Sequence, residues 1–408
     1  MNAIHSEQLA QGAELDLAGV VRVAASFADQ VDREGRFPTE AIDALRSAGF
    51  LGCMFPSELG GSGASLLDIA RQCQQLARGC SSTAMIYAMH QSQVACIVGH
   101  ALDQPWHRAL AQRIAKDGLL LGSVTSEVGV GGDISSSRCA LIVDGDRFTL
   151  DKQAPTVSYG AYADVLLATC RTHADAPPSD QALVTLLRSD CSLVPSGSWD
   201  ALGMRGTCSS AFQLSASAGV EQIIPAAFSV ISDESMMPVS HLLWSAAWTG
   251  IAAEALTRAR AFLRAQAQRQ IGCAQPGAIR LVQATAMLDA MRTSLSNALK
   301  QFDAANTFKR PRSETESAAA QAIEPWPSGM ARTSLLNTLK IEISTQCHEV
   351  VLEALRICGM AGYKNGGEFS VGRYLRDSLS AQIMISNDRI ANNTGALLIA
   401  QRRNLSTL

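Results

Sequence analysis

No stretch of this chain runs through about 20 apolar residues unbroken, the length a helix needs to cross a bilayer, so no membrane span is expected. Charge is scarce as well. Asp, Glu, Lys and Arg make up 17% of the chain and the net charge is −3, which leaves no basic field to attract nucleic acid or an anionic membrane surface. The start of the chain has no basic segment leading into an apolar one, so a secretory signal is not expected. The 11 cysteines include no CxxC pair, and their number is odd. That excludes a disulfide framework and a zinc cage, leaves His348 beside Cys347 without further ligands, and fits a reducing cytoplasm. No internal repeat of 20 to 50 residues is present, which excludes a solenoid.

What remains is ample apolar material. The 408 residues are 47% hydrophobic, enough for a large core in two or three packed units. Over residues 13–110 the apolar positions recur at helical spacing, interrupted by the turn-rich phrase Phe55-Pro-Ser-Glu-Leu-Gly-Gly-Ser-Gly. Thr39 reads as a helix start and Gly49 as a stop. After residue 226 helical spacing returns in four long runs: 241–267, 277–302, 334–358 and 380–402, the last two following a polar connector at 307–327.

Between these helical halves the texture changes. From Leu121 to Asp164, Gly129, Gly131 and Gly132 break any helix, each at a cost of ~1 kcal/mol in a helix interior. Asp144-Gly145-Asp146 is a hairpin signal between an apolar run and a segment alternating at period two. Further strand runs follow at 165–170 and 182–187. Two polar loops, Thr125-Ser126-Glu127 and Thr156-Val157-Ser158, border the strands. From pattern alone they read first as ordinary strand-end turns, and they also suit a planar, hydrogen-bonding cofactor.

The phrase TSEVGVGGD resembles the T-E-x-x-x-G-S-D signature of the acyl-CoA dehydrogenase superfamily, and QAPTVSYGAYAD resembles its Q-K-x-W-I-S/T-N-G-x-x-A-D. WDALGMRGT and LRICGMAGYKNGGEFSVGRYLRDS follow in the family's order, so the resemblance extends over nearly the whole chain. It implies a mainly α protein with a central β domain: an N-terminal helical domain (1–118), a middle β-barrel-like domain (119–225) and a C-terminal four-helix bundle (226–408). It also implies FAD held between the β domain and the bundle, with a neighbouring subunit reaching the dinucleotide, in a homotetramer or a dimer of that type.

Carried over residue by residue, the resemblance places Thr125 and Ser126 at the flavin's pyrimidine edge and Ser158 opposite its reactive nitrogen. Thr156 stands in for a Trp over the ring, and Gly132 for a Ser near the substrate's phosphates. Arg269 is a displaced candidate for a pyrophosphate ligand. Arg356 stands where the family has Gln near the dinucleotide, where the alternative is a solvated helix Arg. Gly359 keeps a glycine that lets backbone approach cofactor, and Asn387 joins the cofactor contacts. The Arg376-Asp377 pair reads as a structural salt bridge, and Arg205 is as readily structural as functional.

One departure governs the chemistry. Family dehydrogenases take an α proton with a Glu eight residues after the R-D aspartate, and that position here is Ile385. Other members carry the Glu near Ser240, where this chain has Ser240-His241. Neither place holds the carboxylate that carbon deprotonation needs. His241 is a candidate substitute base. Alternatively the flavin works with oxygen, as in flavin monooxygenases of this fold, which carry a His at a position resembling His90. The competing reading of His90 is a satisfied core residue. The expectation is thus an FAD-dependent oxidoreductase acting on an acyl or aromatic thioester of CoA or a carrier protein, by oxygenation with molecular oxygen and a flavin reductase. A dehydrogenase using His241 and a non-catalytic flavin-binding subunit are the alternatives.

Overall fold

The computed structural model describes residues 16–269, 276–305, 307–308 and 314–400. Cys273 and the end of the last expected helix, at Arg402, lie outside the described residues.

The first helices have explicit stops and starts. In α1 (Leu17–Glu34) Asp16 caps the N-terminus by accepting the Gly19 N–H at 2.7 Å, and Gly35 ends the helix in the left-handed region. α2 (Thr39–Ser47) and α3 (Leu66–Gly79), capped by Ser65, follow. α4 (Ser81–His100) is buried along nearly its whole length, enclosed by other elements, with polar residues such as His90 and Gln91 among its buried positions. α5 (Pro105–Asp117) starts on a proline and leads into the β domain.

The strands are β1 (Leu121–Val124), β2 (Ile142–Asp144), β3 (Arg147–Ala154), β4 (Val165–Arg171), β5 (Gln181–Leu187), β6 (Cys191–Pro195) and β7 (Phe212–Gly219). They form two sheets, ordered β1-β4-β5, with β1 parallel to β4, and β2-β3-β7-β6, all antiparallel. An isolated bridge between Ala140 and Arg171 links them. The expected hairpin closes with Asp144 paired to Arg147 and Gly145 at φ 60°. Along β3 buried and exposed residues alternate, and the inward set contains Lys152 as well as Phe148 and Leu150.

The bundle follows α6 (Phe228–Ile231) and one π-helical turn at Ser232–Met236. Its elements are α7 (Met237–Arg269), α8 (Ala278–Ala305), α9 (Glu314–Gln321), α10 (Gly329–Cys358), α11 (Met360–Tyr363), α12 (Gly372–Ile383) and α13 (Asn387–Ala400). α7 is the hub and packs on α3, α4, α8 and α10. Two expectations are corrected here. The final run is not one helix but two, broken between Ile383 and Asn387. Arg376 and Asp377 do not bridge each other. Arg376 pairs with Asp32 of α1, and Asp377 accepts the Met204 N–H at 2.7 Å, so the R-D phrase joins three parts of the chain. Arg205 is structural, donating to the Asp32 carbonyl at 2.8 Å and to Asp200 at 2.9 Å.

Candidate functional site

The two polar loops after β1 and β3 are tied together. Ser126 Oγ donates to the Thr156 carbonyl at 2.6 Å. Thr125, Ser126 and Ser158 are half-buried and Thr156 is exposed, so hydroxyls and backbone line an open edge. Glu127 points inward and anchors the first loop. It accepts from Ser137 Oγ at 2.7 Å and from the Cys139 N–H at 2.7 Å, with Lys152 Nζ at 3.7 Å. Burial pushes its carboxyl up, but these donors outweigh burial and hold it below the ordinary carboxylate value.

Ser158 heads a chain of hydroxyls. Thr207 Oγ1 spends its proton on the Met204 carbonyl at 2.9 Å. It must then accept from Ser209, 2.8 Å away, and Ser209 must accept from Ser158, also at 2.8 Å. With one proton per hydroxyl, Ser158 is left offering lone pairs to its open side.

The bundle side holds the expected base positions. His241 is fully buried on α7, with Nδ1–H donating to the Met237 carbonyl at 2.9 Å. That contact assigns Nε2 as a lone-pair acceptor, and among the described residues it has no partner. Burial pulls the imidazole down to about 4, with help from the charge on Lys340 and against the Met237 bond. Trp244 and Trp248 continue the same face, ring centroids 6.0 Å and then 6.5 Å apart along His241–Trp244–Trp248. Both indole N–H groups are buried without a partner among the described residues. Ser240 is buried beside them.

Ile385 lies in the α12–α13 break at φ 50°, a left-handed conformation that costs a β-branched residue about 1–3 kcal/mol. Its carbonyl accepts from Lys340 Nζ at 2.7 Å. Lys340, a fully buried ammonium on α10, was not singled out from the sequence. The signal was there: it sits on the buried stripe marked by Leu336, Leu339 and Ile343, where a lone Lys is rare. Asn387 accepts from the same ammonium at 2.7 Å and donates to Ser344 Oγ at 3.0 Å. Its side chain is thus engaged inside the bundle.

At His90 the geometry is that of the satisfied core residue, the other of its two readings. Its Nε2–H donates to the Leu51 carbonyl at 2.7 Å, and its Nδ1 accepts the Leu121 N–H at 3.0 Å. Both ring nitrogens are used and the residue is fully buried, so none is left to face a substrate. Gly132, at φ 75°, lies against the Arg389 guanidinium; a Cβ there would come within 2.6 Å of Nη2, so the family's Ser would not fit without moving Arg389.

The three dinucleotide candidates all sit on the bundle. Arg269 is exposed in the last turn of α7, roughly 40 Å along the helix from His241 at ~1.5 Å per residue. Arg356 is exposed and pairs with Glu353, which also takes Arg280 at 2.8 Å. Gly359 ends α10 at φ 54°.

Residues 19–112 match the family model described as acyl-CoA dehydrogenase, N-terminal domain. Cyclohex-1-ene-1-carbonyl-CoA dehydrogenase of Syntrophus aciditrophicus is 22% identical over 380 residues, covering 91% of this chain and 84% of that protein. Among solved structures, the dibenzothiophene monooxygenase TdsC from Paenibacillus sp. A11-2, solved with FMN and indole, superposes with TM-score 0.77 at 17% identity, covering 96% of this chain and 98% of that one. Butyryl-CoA dehydrogenase from Megasphaera elsdenii superposes with TM-score 0.73 at 19% identity, covering 94% and 98%.

Proposed function

We propose that the chain is a member of the acyl-CoA dehydrogenase superfamily, an FAD-dependent oxidoreductase working by flavin–oxygen chemistry on a CoA- or carrier-bound acyl or aromatic thioester. The observation that carries the oxygenase reading is the Ile385 turn. Where a dehydrogenase would keep a carboxylate, this chain has an aliphatic side chain whose backbone is held by a buried ammonium. His241 does not repair the loss. An imidazole at about 4 is a weak base, far from what an α carbon proton demands.

A flavin fits the residues present. Thr125, Ser126, Thr156 and Ser158 form a hydroxyl-rich edge, and on the bundle side lie buried Trp244, Trp248 and His241 groups without a partner among the described residues. Bound there, the flavin supplies two-electron chemistry and, once reduced, reactivity towards oxygen. The chain's own part is positioning. Ser158 offers an acceptor, so it suits a ring N–H. His241 Nε2 accepts a hydrogen from an O–H or N–H of the substrate. The apolar Ile385 keeps a competing base away. Molecular oxygen and a flavin reductase are the partners this chemistry needs. A homo-oligomer would let Arg269, Arg356 and Gly359 reach a neighbour's dinucleotide.

The test is direct. The purified protein should show a flavin spectrum, and the released cofactor should run as FAD and not FMN. Mixed anaerobically with acyl-CoAs, the flavin should stay oxidised. After chemical reduction it should consume oxygen, with product formed only when a thioester is present. Bleaching by an acyl-CoA alone sinks the oxygenase reading in favour of dehydrogenation. A flavin that responds to neither leaves the non-catalytic subunit.

A further inference from the structure

We propose that Lys340 is a positioning residue: its buried ammonium replaces the helix hydrogen bonds lost between α12 and α13, and so fixes the turn that carries Ile385 and Asn387. The contacts stand by themselves; only treating this turn as a wall of the site rests on the function proposed above.

A helix that stops leaves its last carbonyls without intrahelical donors. α12 makes its last bond from the Met384 N–H to the Ser380 carbonyl at 2.8 Å, and α13 takes up again with the Ile390 N–H on Ser386 at 3.1 Å. Ala381, whose carbonyl would accept from residue 385 in a continuous helix, accepts instead from Lys340 Nζ at 3.1 Å. The other two protons go to the Ile385 carbonyl and to Asn387 Oδ1, both at 2.7 Å. An ammonium has three donors, and all are spent on one turn. Ser344, one helical turn along α10 from Lys340, holds Asn387 from the same face.

Each acceptor is uncharged, so the ammonium is stabilised by oriented carbonyls at the C-terminal end of α12, where the helix dipole favours a cation. The Trp248 ring lies 5.6 Å away and adds a cation–π contact. A left-handed Ile385 persists only where its surroundings impose it, and the Lys340 bond to its carbonyl is such a constraint. With its donors used up, Lys340 acts on the site through the turn and not by touching substrate.

Hydrogen exchange of the purified, flavin-bearing protein tests this. In Lys340→Met, similar in length but with neither donor nor charge, peptides spanning 384–388 should exchange about tenfold faster or more, the release expected for a strained residue freed from its anchor. Peptides covering 90–97 and 241–248 should be unchanged. Lys340→Arg, which restores donors and charge, should recover most of the protection, and Lys340→Met/Ile385→Gly should be closer to wild type than Lys340→Met alone. Unchanged exchange at 384–388, acceleration spread evenly over all three regions, or no rescue by Arg overturns the proposal. If Lys340→Met does not accumulate folded, Asn387→Ala should give a smaller acceleration confined to the same peptide, and its absence is equally decisive. A protein that binds no flavin defeats the functional reading but leaves this exchange result standing.

Discussion

His90 and His241 are both fully buried imidazoles on long buried helices, both drawn down to about 4 by burial, yet they sit in opposite kinds of surroundings. His90 spends both nitrogens on backbone and stitches the link before α3 to the first strand. His241 spends one and leaves the other without a partner among the described residues. The two buried lysines, both with their donors used, differ in what they hold. Lys152 has a carboxylate, Glu127, and a closed set of partners including the Thr169 carbonyl at 2.7 Å. Lys340 has no carboxylate and holds a strained turn. Burial and a displaced pKa therefore do not by themselves mark a site here. What separates His241 from His90 is a ring nitrogen without a partner among the described residues, a property His241 shares with buried groups elsewhere, such as His107 Nδ1.

The contrast is broken most forcefully at Glu127. Glu127→Ala strands the Lys152 ammonium in the β domain and should cost about 3–5 kcal/mol in denaturant unfolding, as removal of one partner from a buried pair does. A cost below about 1 kcal/mol would mean that this network is open after all.

Acid comes next. The unfolded histidines bind protons near 6.5, while His90 and His241 resist until about 4. The stability they contribute is therefore complete above pH 6.5 and is lost as pH falls through about 4, roughly 3 kcal/mol for each at the low end. Melting temperature measured from pH 7 to 4 should fall in wild type and fall less in His241→Phe. Parallel curves would show that His241 titrates normally.

Smaller, and sharper as a comparison, are the neutral-pH costs of the two histidines. His90→Phe leaves the buried Leu121 N–H without its partner and should cost about 1–3 kcal/mol. His241→Phe removes a bond to a helix carbonyl and a nitrogen with no partner, and should cost under about 1 kcal/mol. Equal midpoints in urea would erase the distinction between a stitched histidine and an open one.

Much of this fold was legible because its signals are local. Gly145 between two acidic residues placed the β2–β3 hairpin, and glycine clusters with period-two alternation separated the sheets from the helices. The break at Met384–Ser386 was not legible. Ser380 to Ile385 carries no Pro or Gly, and the cause of the break lies 45 residues upstream in sequence, in the Lys340 contact with Ile385. The strand-end loops could be named as an edge, but the direction of the Ser158 hydroxyl depends on Ser209 and Thr207, which only the tertiary fold brings near. His90 shows the same limit. Its helix and burial followed from the pattern, whereas the backbone groups that satisfy it come from Leu51 and Leu121.

The finest test concerns the sign of a small change at Ile385. Its left-handed backbone costs about 1–3 kcal/mol, which Gly would relieve at the expense of about 0.5–1 kcal/mol of extra chain entropy and some half-buried packing. Ile385→Gly should therefore be neutral or stabilise by up to about 1 kcal/mol. Ile385→Ala loses the same packing but keeps a Cβ in the left-handed region, so it relieves less and should destabilise by about 1 kcal/mol. Opposite signs for Gly and Ala in thermal unfolding mean that the turn is imposed on Ile385 by its anchor. If both substitutions destabilise equally, residue 385 is held by its side chain, and the site's apolar wall is ordinary core.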